Sequence, residues 1–226
     1  MQAAALYRSS IGKKALMAVT GLIWIGYVVM HMYGNLKAFQ GSVYFNEYAE
    51  GLRSLGSPIF GHLHLLTIAR IVLVVALVIH VWAAYSLFQQ AREARPKSYA
   101  MWRAVQANYA SVTMRYGGTA ILLFVIFHLA HLTWGVSPVH PDYIRGDAYH
   151  NLIVGFRSLP VVIIYLLALV ALALHLYHGT WSMFQTLGLN DDSWDGVFRG
   201  LAWLLAIVVP VGFAAVPLAI QFGYIQ

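Results

Sequence analysis

Residues 159–184 read LPVVIIYLLALVALALHLYHGTWSMF. From Leu159 to Leu174 the stretch carries no charged side chain, no amide and no histidine. A helix needs about 20 mostly apolar residues to cross a bilayer core of about 30 Å, and this run is long enough. Two imidazoles, His175 and His178, then stand inside the apolar run. Four more segments pass the same length test, so the spans fall at roughly 15–34, 65–88, 117–134, 159–184 and 201–222. The expected fold is an all-α integral membrane protein, a five-transmembrane-helix bundle forming one domain over residues 1–226.

Composition supports this. Of the 226 residues, 60% are hydrophobic and 10% are charged, against roughly 25% charged in an ordinary soluble domain. The mean hydropathy is +0.68. A soluble chain of this size has no means of hiding so much apolar surface, which excludes a soluble enzyme and a disordered chain. The net charge of +6 reports orientation before it reports any nucleic-acid partner. Arg8, Lys13, Lys14, Arg92, Arg95, Lys97, Arg103, Arg115 and Arg199 fall on one side. Lys37, Arg53, Arg145 and Arg157 fall on the other, and Arg70 lies inside the second span. Nine against four predicts a cytoplasmic N-terminus and a C-terminus outside, in the cell membrane. The first span is too long for a cleaved leader, and no small-residue cleavage site follows it. The connections read as short and irregular.

The chain has no cysteine and ten histidines. Without thiolates it has no disulfide and holds no iron–sulfur cluster of its own. His31, His80, His128 and His175 each lie well inside one of the first four spans. An ionisable group at that depth is costly and usually faces the bundle interior with a partner. A single such histidine is read most simply as a packed, hydrogen-bonded core residue, but four on successive spans call for a common cause. At 1.5 Å per residue, His80 and His175 lie roughly 12–14 Å from the cytoplasmic ends of their spans, His31 roughly 24 Å and His128 roughly 16 Å. This predicts an inner pair, His80 with His175, and an outer pair, His31 with His128. Two facing imidazoles saturate a haem iron and suit electron transfer. Two pairs at two depths predict two b haems in series between helices I–IV. Zinc or copper is the weaker alternative, since no compact ligand set lies at one level. Periodicity leaves two choices open, because His131 follows His128 by three residues, as His178 follows His175, and such residues share a helix face.

The run from His175 to Gly188, HLYHGTWSMFQTLG, is distinctive, as is Ser9 to Gly21, SSIGKKALMAVTG. With His31 close to Gly34-Asn35, and with Phe127-His128-Leu129, these resemble the five-helix dihaem cytochrome b anchor subunit of succinate dehydrogenases and fumarate reductases. The resemblance extends from about Ser9 to the fifth span. It implies that His31, His80, His128 and His175 are the axial haem ligands, with the first and third helices holding the haem distal to the iron–sulfur subunit. It favours His128 over His131 and His175 over His178, and leaves His131 and His178 as haem environment. It further implies partner subunits, a flavoprotein with FAD and an iron–sulfur protein, that handle the dicarboxylate on the cytoplasmic side. This chain then supplies two haem b groups, a docking surface and part of a quinone site, with menaquinone favoured, and higher oligomers of whole complexes are compatible with it.

Weaker candidates complete the reading. Arg70, near the outer end of the second span, either pairs with a haem propionate or snorkels to the surface. Ser10 and Lys14 are candidates for the quinone site, because Ser-Ile-x-x-Lys resembles the Ser-Ile-x-x-Arg of related anchors with a different helix count. The alternative for Lys13 and Lys14 is positive-inside anchoring. Asp191, Asp192 and Asp195 are expected on the cytoplasmic surface, as a docking patch or a solvated loop. No glutamate lies inside a span, so no buried-carboxylate proton relay is visible. Rival functions are the cytochrome b anchor of another quinone-linked redox complex, a haem-free anchor, and a transporter whose histidines relay protons or bind a metal.

Overall fold

In the computed structural model, residues 9–94 and 109–226 are described, and these are helical with no strand among them. The long helices are α1 (Ser10–Leu36), α3 (His64–Glu93), α4 (Tyr109–His128), α6 (Leu159–Thr186) and α7 (Asp195–Gln221). Two shorter ones, α2 (Ser42–Arg53) and α5 (Ala148–Gly155), lie between them. Five helices are long and apolar enough to cross a membrane, ending within a few residues of the expected spans. The first and third connections are not irregular, since α2 and α5 occupy them. Both helices are too short to register as spans.

Local chemistry sets the ends. Ser9 caps α1, its Oγ accepting from Gly12 N–H at 3.0 Å. A 3₁₀ turn, Lys37–Gln40, follows α1, and Gly41 at φ 89° then redirects the chain into α2. Pro160 sits in the first turn of α6, where its missing N–H is no loss.

α6 packs against α7, α4 and α1, and α1 packs against α3, α7 and α6. The core is therefore the α1–α6–α7 triangle, flanked by α3 and α4. Leu176, Ala206 and Val209 are buried at its middle, against Val28, Met32 and Phe213. A second core fills the end of the bundle remote from Ser10, where Leu152, Ile153 and Phe156 of the α5 segment bury against Val162, Tyr165 and Val216. That far end is tied by polar links: Asn46 Nδ2 donates to Asp147 Oδ1 at 3.0 Å, and Tyr149 N–H donates to Asn46 Oδ1 at 2.9 Å. Gln221 Nε2 donates to the carbonyl of Phe156 at 2.7 Å, closing α7 onto the α5–α6 corner. Large apolar side chains such as Val74, Val78, Leu167 and Val170 are exposed along the long helices, as a lipid-facing surface requires.

Candidate functional site: two histidine pairs

The four intramembrane histidines meet in two pairs. The rings of His80 (α3) and His175 (α6) have centroids 6.2 Å apart. Those of His31 (α1) and His128 (α4) are 5.8 Å apart. Thr20 contacts His80, and His31 lies further along the same helix, so α1 sets the spacing between pairs at roughly 16 Å along its axis. Tyr165 contacts His128 and shares α6 with His175, which gives roughly 15 Å. The two helices thus agree on two levels, one toward the Ser10 end and one toward the far end.

At the first level the hydroxyl of Thr20 lies 2.7 Å from the Leu16 carbonyl and 3.1 Å from His80 Nδ1. Its single proton goes to Leu16, so the oxygen accepts from His80 Nδ1–H. That bond leaves Nε2 of His80 as the free lone pair. Gly21 is next to Thr20, and a Cβ there would lie 3.6 Å from the His80 ring; Gly118 of α4 stands in the same relation to His175. Nδ1 of His175 is buried without a hydrogen-bond partner, as is Nδ1 of His178. Two apolar hollows lie along these helices, the first of them touching His175. One of about 190 Å³ is lined by Thr113, Met114, Gly117, Ala171, Leu174 and His175. The other, of about 360 Å³, lies between α3 and α4 and is lined by Leu77, Val78, Val81, Trp82, Tyr85 and Leu122.

At the second level Tyr27 stacks on His31 with centroids 5.3 Å apart, and the Phe213 ring lies 5.5 Å from that of His31, tilted by 55°. Tyr165 Oη lies 3.1 Å from His128 Nδ1 and 2.9 Å from His131 Nδ1. His131 does not face His31. It sits in a π turn, Leu129–Thr133, fully buried, with His140 and Phe156 against it. His140 Nδ1–H donates to the His131 carbonyl at 2.9 Å, occupying an oxygen that the widened turn leaves free.

The weaker candidates scatter. Arg70 is exposed and has no ion pair among the described residues, although its charge lies within electrostatic reach of Tyr27, the residue stacked on His31. Ser10 and Lys14 are exposed. Lys13 is the lysine that turns inward, buried with Nζ 5.8 Å above the Trp82 ring. Asp191 caps the turn before α7 through Ser193 N–H and Trp194 N–H. Asp195 accepts from Trp181, Asn190 and Arg199, so both carboxylates serve the local fold. Outside the spans, Glu50 is held below the usual carboxylate range by Arg53 and then by His62, and Asp147 by the His150 N–H and then by Asn46.

Sequence reasoning missed Thr20, Tyr165 and His140. The available signal was a hydroxyl or phenol inside an apolar run, which must find a partner there. No protein-family model, curated protein or solved structure matches this chain.

Proposed function

We propose that this chain is the dihaem cytochrome b anchor of a succinate:quinone oxidoreductase. The observation that carries the reading is the meeting of four intramembrane histidines in two facing pairs at two levels. An imidazole nitrogen bonds a first-row metal at about 2.0 Å, which sets two opposed rings about 6 Å apart, centre to centre. Both pairs fit that spacing. The free Nε2 of His80 and the apolar hollow beside His175 fit a porphyrin better than a hydrated cation.

In this reading His80 and His175 hold the inner haem, and His31 and His128 the outer one. Bound haem supplies one-electron chemistry between the iron–sulfur subunit and a quinone, menaquinone being favoured. Thr20 orients His80, Tyr27 and Phe213 wall the ring of His31, and the apolar lining excludes water. Arg70 and Lys13 supply positive charge near the outer and inner pairs, where propionates or a quinone head group need it. The N-terminus is cytoplasmic, and FAD and the iron–sulfur clusters belong to the partner subunits.

The test is a dithionite-reduced minus oxidised spectrum of the purified complex with a pyridine haemochrome count. Two b haems per chain, with a succinate-oxidising flavoprotein co-purifying, are expected. Two haems with a different oxidoreductase would leave a cytochrome b anchor of another complex. A colourless protein would overturn the reading.

A further inference from the structure

Tyr165 presents one oxygen to two imidazoles. Its Oη lies 3.1 Å from His128 Nδ1 and 2.9 Å from His131 Nδ1. A phenol has one proton, so it donates to one ring and accepts from the other. The two directions differ in consequence. If Oη–H donates to His128, the proton of that neutral imidazole sits on Nε2, and that nitrogen has no lone pair to offer. If His128 Nδ1–H donates to Oη, Nε2 of His128 is free, and Oη–H donates to Nδ1 of His131. His131 then carries its proton on Nε2, against Gly155.

Two further observations bear on the direction. The shorter contact is the one to His131, as expected where the O–H is the donor, since O–H donors make shorter bonds than N–H donors. His140 spends its Nδ1–H on the His131 carbonyl, so its buried Nε2 is a lone pair without a partner, on a ring 5.0 Å from that of His131. Nε2 of His131 is itself buried with no side-chain partner, but it lies against Gly155, whose backbone carbonyl acts on it as an acceptor, and no donor competes there.

We infer that Tyr165 is a positioning residue that, through its single phenolic proton, holds His128 with Nε2 free for the iron and holds His131 in the opposite tautomer, away from it. The inference rests on the haem reading of the His31–His128 pair. Donation of Nδ1–H to an oxygen that is itself donating makes the ligand more basic, which favours ferric iron. The outer haem is thus held at a lower potential than it would have without the phenol.

The experiment is a redox titration of the whole purified complex, resolved into its two haem components, for Tyr165→Phe. The ring is kept and the oxygen removed. The expected result is two haems bound, a positive shift of the outer component and an unmoved inner component. An unmoved outer component with both haems bound overturns the inference, as does an equal shift of both. Absence of two bis-histidine haem signals in the unaltered complex would instead sink the parent reading. A second pair of variants carries the same test independently of Tyr165. His131→Asn keeps an acceptor for the phenolic proton and leaves the outer potential near its original value. His131→Leu removes that acceptor and shifts it as Tyr165→Phe does. Equal potentials in the Asn and Leu variants overturn the inference.

Discussion

Replacing Thr20 by Val tests whether the pair at the Ser10 end is built by its surroundings or only by its two rings. Valine has nearly the shape of threonine and similar helix propensity, so the substitution opens no cavity and leaves α1 intact. It removes one oxygen, the acceptor 3.1 Å from His80 Nδ1. The bond that the same hydroxyl makes to the Leu16 carbonyl, at 2.7 Å, duplicates a helix acceptor and is dispensable. The loss is therefore confined to a buried imidazole N–H that keeps only the Met17 carbonyl within reach, which costs at most about 1–3 kcal/mol. Measurements on other metal sites give about 10–100-fold in affinity for losing the partner that orients a ligating histidine. That converts to about 1.4–2.7 kcal/mol, inside the first range. On the proposed dihaem reading, the assay is haem loss from the purified complex to an excess of a haem-scavenging protein, followed separately for the two haems. The inner haem should be lost about 10–100-fold more readily while the outer one is unchanged. Wild-type retention of the inner haem, or equal loosening of both, would refute the argument that Thr20 orients His80.

Three other outcomes follow from the same geometry. His80→Ala or His175→Ala should abolish one haem signal, and His31→Ala or His128→Ala the other; a spectrum that keeps both after any of these substitutions sinks the pairing as a ligand set. Gln221→Leu strands the Phe156 carbonyl, which accepts at 2.7 Å, and should cost about 1–3 kcal/mol, read as a lower unfolding midpoint in detergent. The depressed carboxyl of Asp147 contributes stability above the ordinary carboxylate value near 3.9, and that contribution is lost as pH falls below it. The protection factors of the amides across Ser42–Arg53, which are corrected for the intrinsic exchange rate, should therefore fall as pH drops below about 3.9. Asp147→Asn, which keeps a helix cap without a charge, should flatten that dependence.

The spans were legible because bilayer thickness imposes a length on any apolar helix, and no packing detail alters that requirement. Burial depth followed from the same ruler. It placed His80 at the level of His175, and in the folded chain their rings meet with centroids 6.2 Å apart and planes tilted by 54°. It also placed His31 and His128 several ångströms apart in depth, yet these two rings meet as closely, with α1 and α4 both packed on α6.

What the sequence alone determined was the number of crossings and which histidines lie at membrane depth, since both depend on local composition and on the rise of one helix. Only the tertiary structure decided which of two histidines three residues apart turns toward a partner. His128 faces His31, while His131 is turned under the α5 segment by a π turn and the carbonyl it offers to His140. It also decided which hydroxyl meets which ring. Thr20 and Tyr165 are ordinary members of apolar runs until α3 and α4 are laid beside them. A hydrogen bond is a condition on the position of two atoms from distant parts of the chain, and helical periodicity specifies only one of them at a time.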